Sequence, residues 1–410
     1  MTDPILASPT TLKALKGVPL TFRWIGKWLL TGKTGQLKVR LPDGRELRFY
    51  HDDEGPEASI DIHDYAFAKR SFAGGDVGFG ESYMDGQWST PDLTAVLRYF
   101  SDNFDASGDG RLARGGFLRR LTNMLRHMLN RNSKTGSQRN IYNHYDIGNT
   151  FYAKWLDPSM TYSAALYNQK DVSLESAQKA KYDAICRNLK LSPDSDILEI
   201  GCGWGGFAEY AASQYGAKLT CLTISKAQQE YARERLHKAG LAERVDIRLQ
   251  DYRDHSGTYD GVASIEMFEA VGESYWPSYF SKVHEALKPG GKATLQIITI
   301  DDDLFQGYRQ RADFIQRYIF PGGMMPSEKA LRKQLEKAGL SYDSVNYFGL
   351  DYAKTLKIWA DNFNKGWEEI CQLGFDESFR RMWNFYLSYC QAGFEGQRIN
   401  VGQFSIIRPH

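Results

Sequence analysis

Short apolar runs recur between helical patterns over the second half of this chain, and they set its architecture. Ile197, Leu198 and Ile200 make the first such run, in 196–200, and others follow at 218–223, 245–249, 259–265 and 292–299. Runs apolar on both faces suit strands covered on both sides, and their alternation with helices predicts a parallel, doubly wound sheet. Residues 343–348 and 404–407 read as its last two strands, with aromatic-rich helices over 352–370 and 377–390 between them. Residues 300–350 interrupt the sheet. There the apolar stretch 314–320 and the Pro-Gly-Gly-Met-Met-Pro after it read as an insertion over a pocket.

The first hundred residues carry a different rhythm. Periodicity predicts a helix over 11–30, alternation on both sides of Pro-Asp-Gly predicts a hairpin of 37–41 and 46–50, and 92–100 reads as a helix. The glycine-rich stretch 74–80 follows no apolar strand and reads as a structural turn. This gives a smaller α+β domain over 1–105, a linker over 106–140 and the large α/β domain over 141–410. Between Asp109 and Asp146 no acidic residue occurs, while eight Arg and Lys do, with Phe117, Leu118, Leu121, Leu125, Met128 and Leu129 at helical spacing. Such a segment fits a membrane surface; it also fits a linker helix packed on its own protein with a solvated basic face.

Charge and composition narrow the partners. A net charge of +1 over 410 residues argues against wholesale nucleic-acid binding, and 22 Phe, 24 Tyr and 9 Trp suit large apolar surfaces. The five scattered cysteines contain no Cys-x-x-Cys, which points to a reduced, cytoplasmic setting without a zinc site. Asp301-Asp302-Asp303 is read as a solvated or helix-capping loop rather than a metal site. The N-terminus has no signal-peptide pattern, and no run approaches 18 uninterrupted apolar residues, so no bilayer span is expected.

The candidate chemistry starts at Glu199-x-Gly201-x-Gly203-x-Gly205-Gly206, between the first strand and a helix. A dinucleotide fold places its acid about 20 residues after the glycines, and a P-loop carries a Lys, so neither fits. A nucleoside ligand with an amino-acid end and no phosphates does: S-adenosylmethionine (SAM). Sheets of this kind bind ligands beyond the carboxyl ends of their strands. Those ends carry Glu199–Gly206, Thr223, Ser225 and Gln228, Gln250 and Asp251, Glu266 to Glu269, and Gln296 to Ile298. Glu199 and Gln228 suit the ligand's polar groups and Gln250 and Asp251 the adenine edge; Ser225 and Asp251 also sit where helix caps belong.

His144-Tyr-Asp-Ile-Gly-Asn149, Tyr162-Ser163, Leu198-Glu-Ile-Gly-Cys-Gly-Trp-Gly-Gly206, Thr223-Ile-Ser225, Gln250-Asp-Tyr-Arg-Asp254, Met267-Phe-Glu269, Tyr318-Ile-Phe-Pro321 and Phe348-Gly-x-Asp-Tyr352 resemble cyclopropane fatty acid synthases and their mycolic acid relatives. The resemblance implies a class I SAM-methyltransferase fold, Rossmann-like with seven strands, and transfer of a methyl to a cis double bond of a phospholipid acyl chain. Tyr162 and Ser163 join the cofactor set with Glu266, which lies at a strand's carboxyl end. Tyr145, Tyr162, Trp204, Phe268 and Tyr318 become candidates for steadying a carbocation by their ring faces.

The family's base is a bicarbonate ion, and of its holders this chain keeps Glu269, the Ile298 main chain and Tyr352. It replaces the cysteine by Ala164 and the histidine by Gln296, and Ala270 stands where a histidine follows the glutamate. Ala164 is expected to offer no donor and Gln296 no positive charge, so bicarbonate is weakened or lost, ring closure is in question and Glu269 is the remaining base. The expected partner is a phospholipid membrane at its inner face; a homodimer, and a reductase for a branched product, are compatible with it.

Overall fold

The computed structural model describes residues 3–104, 147–168 and 172–410. The basic segment 106–140 and His144 to Asp146, Tyr145 included, lie outside the described residues.

The large sheet has seven strands: β6 (Asp196–Ile200), β7 (Lys218–Thr223), β8 (Val245–Leu249), β9 (Tyr259–Ile265), β10 (Leu287–Ile300), β11 (Ser341–Tyr347) and β12 (Ile399–Ile407). Their spatial order is β11-β12-β10-β9-β6-β7-β8. β10, β9, β6, β7 and β8 run parallel, while β12 is antiparallel to both β10 and β11. Strand order reverses between β6 and β9, so the crevice beyond their carboxyl ends opens at the glycine loop and at Glu266 together. β6 is buried from Ile197 to Ile200, as an interior parallel strand must be.

The smaller sheet has the order β1-β3-β2-β4-β5, with β1 (Ile5–Leu6), β2 (Thr34–Arg40), β3 (Glu46–Tyr50), β4 (Asp53–Ile62) and β5 (Trp88–Ser89). The β2–β3 hairpin has the expected register, Val39 opposite Leu47. Two expectations fail here. The helix read over 11–30 is two, Pro9–Ala14 and Leu20–Leu29, because Gly17 takes φ 74° and Pro19 precedes the second helix. The glycines at 74–80 are no loop: they lie inside the helix Ala66–Met84, kinked at Gly75 (φ 60°, ψ −141°). Gly75 supplies the kink through its positive φ, and close packing explains Gly80, where a Cβ would come within 2.6 Å of the Phe314 ring.

That contact shows how the two sheets are joined. Helix Glu377–Glu395 packs on helices Ala66–Met84 and Leu93–Asn103, with the Phe385 ring tilted 4.4 Å from Phe314 and edge-on 6.5 Å from Phe79. On the two aromatic-rich late helices, Trp359, Phe363, Trp383, Phe385 and Tyr386 are buried. Residues between β10 and β11 form helices Asp302–Arg309, Phe314–Tyr318 and Glu328–Lys337, and Asp301 caps the first of them through the Asp303 amide. No group of metal-ligating side chains, and no helix long and apolar enough to cross a membrane, occurs among the described residues.

Candidate active site

The glycine loop is built by its backbone. Gly201, Gly203 and Gly205 all take positive φ (85°, 51° and 81°), a region that side chains bearing a Cβ avoid. A Cβ at Gly201 would lie 2.6 Å from Met267 Cγ, whereas one at Gly203 would meet nothing within 4 Å. The loop is therefore tight against β9's end and open on its outer side, a cradle suited to SAM. The Gly201 and Cys202 amides both donate to the Leu222 carbonyl, tying the loop to β7. Beyond β7, Thr223 Oγ1 donates to Gln228 Oε1 (2.9 Å) and Ser225 caps helix Lys226–Lys238. Gln250 contacts the Asp254 carbonyl and His255, and Asp251 caps the turn at Tyr252 while pairing with Arg253.

Glu199 sits under the loop, 2% exposed, beside the Cys221 thiol, with its Oε2 bonded to no group among the described residues. Burial pushes its carboxyl up to about 7.

Across the crevice the structure assembles a second cluster. Glu266 Oε1 accepts hydrogen bonds from the Ala164 amide (2.8 Å) and Gln296 Nε2 (2.7 Å), and Oε2 accepts one from the Tyr352 hydroxyl (2.8 Å). Ala164 thus does supply a donor, from its backbone, against the sequence expectation. Glu266 itself takes φ 49°, a strained conformation for a residue with a side chain. Glu269 Oε1 accepts from the Ile298 amide, while its Oε2 has no partner among the described residues. Burial, reinforced by the Glu266 charge, raises Glu269 to about 8, which favours its protonated form at neutral pH. Burial also raises Glu266, opposed by the Lys181 charge and by its three donors.

Of the donors that the resemblance assigns to bicarbonate and this chain keeps, Tyr352 is engaged by Glu266 and the Ile298 amide by Glu269, while Gln296 and the Ala164 amide, at the two replaced positions, also donate to Glu266. The site does not fit a separate bicarbonate ion.

Aromatic rings connect the two clusters. Trp204 of the loop lies 5.1 Å from Tyr152, which lies 5.4 Å from Tyr162; Tyr162 lies 5.4 Å from Trp359, and Trp359 6.0 Å from Tyr352. The Tyr162 hydroxyl bonds that of Tyr386, and Phe320 of the insertion lies 6.5 Å from its ring. The same insertion bonds the Glu269 carbonyl through the Met324 amide. Two other aromatic candidates sit elsewhere. Phe268 packs among Trp276, Tyr279 and Phe280 in the sheet's other core, and the Tyr318 hydroxyl donates to Glu81 of helix Ala66–Met84.

Ser163 is buried and bonded to a residue absent from the sequence-derived site, Lys181. That lysine is fully buried on helix Leu174–Leu189, its amine 2.7 Å from both Ser163 Oγ and Gln178 Oε1. The signal was in the pattern: 174, 177, 178, 181, 182, 185 and 189 form the helix's buried stripe, and position 181 puts a charge in it. Gln403, on β12, was missed as well; it bridges the Lys181 carbonyl and Gln296 Oε1.

Comparison with known proteins identifies the family. The profile of the mycolic acid cyclopropane synthetase family matches residues 132–404. The tuberculostearic acid methyltransferase of Mycobacterium tuberculosis is 38% identical over 365 residues, covering 87% of this chain and 84% of the relative. The cyclopropane-fatty-acyl-phospholipid synthase of Escherichia coli is 38% identical over 347 residues, covering 84% and 87%. A crystal structure of mycolic acid cyclopropane synthase CmaA1 complexed with SAH and CTAB superposes with TM-score 0.62 at 28% identity, covering 66% of this chain and 98% of that one. Built on the same seven-stranded sheet and glycine loop, this chain belongs to the mycolic acid cyclopropane synthetase family of SAM-dependent methyltransferases.

Proposed function

We propose that this protein methylates a cis double bond in an acyl chain of a membrane phospholipid, and that Glu266 takes the proton released, leaving an open-chain methylated or methylene-bearing product. Bound SAM supplies an electrophilic methyl. The alkene's π pair forms the new C–C bond as the C–S bond breaks towards sulfur, leaving a cation on the chain. Loss of a C–H proton, with its electron pair forming a new C=C bond, then discharges the cation, and no reductant is required. The wall of Tyr152, Tyr162, Trp359 and Tyr352 offers ring faces rather than nucleophiles to that cation.

The observation that carries this reading is the Glu266 carboxylate, strained at φ 49° and held by three donors, the Tyr352 hydroxyl that the resemblance assigns to an exchangeable anion among them. A base fixed to the protein differs from a diffusible one in where it can reach. The similarity to a tuberculostearic acid methyltransferase over 87% of this chain supports an open chain. The similarity to a cyclopropane synthase is equal in identity, so the product decides between them.

A membrane surface as the source of substrate is supported by the N-terminal helix pair. Phe22, Ile25, Gly26 and Leu29 of helix Leu20–Leu29 face the core, which leaves Leu20 (71% exposed) and Trp24 (67%) pointing outward. Lys13, Lys16, Arg23 and Lys27 surround them, and no acidic residue occurs from 4 to 42. Trp and Leu beside Lys and Arg is the composition of an interfacial element.

The test is incubation of the protein with SAM and dioleoyl phosphatidylglycerol vesicles, followed by mass spectrometry and NMR of the acyl chains. The expected product gains CH₂ and shows olefinic or exocyclic methylene protons, and Glu266→Gln abolishes it while retaining SAM binding. Unchanged lipid mass would overturn the acceptor; cyclopropane resonances would overturn the open-chain product; full activity of Glu266→Gln would overturn the base.

A further inference from the structure

Lys181 is the charged group that the reaction as drawn leaves unused. It is completely buried, and among the described residues its amine bonds only the neutral Ser163 Oγ and Gln178 Oε1. A lysine in this state carries a large desolvation cost unless its charge has a purpose or is given up. Its environment shows where the charge acts. Glu266, Asp157 and Glu199 are the acidic groups that face it, and Glu266 is the strongest of the three. On its own helix the neighbouring group is the Tyr182 ring, 4.5 Å from the amine. On the carboxylate's side, Glu266 faces Lys181, the neutral donors Gln296, Tyr352 and the Ala164 amide, and the acid Glu269.

The connection is mechanical as well as electrostatic. Lys181 binds Ser163 through its hydroxyl, and Gln178 Nε2 binds the Ser163 carbonyl (2.9 Å). One helix therefore holds both ends of Ser163, and the next amide, that of Ala164, is the one that donates to Glu266. Gln403 closes the circuit from the opposite side, linking the Lys181 carbonyl to Gln296, the second donor to Glu266.

We propose that Lys181 is the positioning residue of this site: it fixes the 163–164 segment that donates to Glu266, and its buried positive charge keeps the Glu266 carboxylate ionised and ready to take a proton. This rests on the reading of Glu266 as the base. Burial alone raises Glu266, and the lysine charge is the main force opposing that rise. Burial also lowers Lys181, to about 7, so the two groups titrate as a pair.

The experiment is the pH profile of kcat for methyl transfer from SAM to dioleoyl phosphatidylglycerol vesicles, together with SAM affinity, for the parent, Lys181→Met, Lys181→Gln and Lys181→Arg. The acid limb is expected to move upward by about one pH unit or more in the Met and Gln variants, the scale on which an opposite charge in the same site moves a carboxyl. Lys181→Gln keeps a donor towards Ser163, so a shift in it reports charge and not packing. Lys181→Arg keeps the cation and is expected to hold the parent's limb even if its larger head lowers the rate. Thermal melts with and without SAM identify any variant that fails to fold, and a folded Gln or Arg variant suffices. Rates lowered equally at every pH, with the limb unmoved, would overturn the proposal. If Glu266→Gln is inactive and the limb still does not move, the lysine's role fails alone; if Glu266→Gln is active, the base itself has failed.

Discussion

Glu269 carries an uncompensated cost that a single substitution should release. Its Oε1 accepts the Ile298 amide, its Oε2 has no partner among the described residues, and burial with the neighbouring Glu266 charge lifts it from 4.5 to about 8. The folded state therefore keeps a proton that the unfolded chain has lost, and folding stability falls as pH rises through the interval from 4.5 to about 8. Below that interval both states are protonated and no penalty exists; above it the full penalty is present. At about 1.4 kcal/mol per unit, the ceiling is about 5 kcal/mol. Relaxation of the groups around the enclosed carboxyl brings the expected effect to about 2–3 kcal/mol. Glu269→Gln removes the ionisation and retains an oxygen for the Ile298 amide. For a chain of this size the gain corresponds to about 3 °C in Tm. Thermal melts should show the variant about 3 °C more stable than the parent at pH 9 and equal to it at pH 4.5. A variant no more stable at pH 9, or equally stabilised at both pH values, would refute the argument that the carboxyl is held protonated.

Other consequences can be measured separately. Tyr352→Phe leaves one oxygen of Glu266 without its donor, so kcat should fall roughly 10- to 100-fold while SAM affinity stays within about threefold, as read by product formation and by titration. Gly201→Ala meets Met267 Cγ at 2.6 Å and must hold φ 85°, so it should weaken SAM binding and lower stability by about 1–3 kcal/mol, checked by calorimetry and urea unfolding. Restoring Ala164→Cys with Gln296→His should leave the product unchanged while Glu266 fills the position. Adding Glu266→Gly, which also relieves the positive φ, should make turnover respond to added bicarbonate, read by acyl-chain NMR across a bicarbonate series. Leu20→Ser with Trp24→Ser should weaken sedimentation with anionic vesicles several-fold while leaving SAM binding intact.

The local pattern was enough for most of the large sheet and for the glycine loop. Ile197, Leu198 and Ile200 had to be covered on both faces, and Gly201 to Gly206 had to follow them, because strand burial and positive φ are properties of neighbouring residues. Two helices in the N-terminal part were misjudged for a related reason. Gly74 to Gly80 look like a turn when only neighbours are considered; in the fold they lie within a kinked helix, and Gly80 is required to be small because Phe314, more than 230 positions later, occupies the space a Cβ would need.

The chemistry across the crevice was decided by tertiary structure. Ala164, Gln296 and Tyr352 were visible as positions, and two of them looked like losses. Only when β9, β10 and helix Gly349–Lys365 come together does Glu266 turn inward and take up their hydrogen bonds. Whether a carboxylate binds a ligand, accepts a proton or stays protonated depends on desolvation and on charges that arrive from distant segments. Lys181, 85 residues before Glu266, is such a charge: its place in an apolar stripe was legible, and its partner was not.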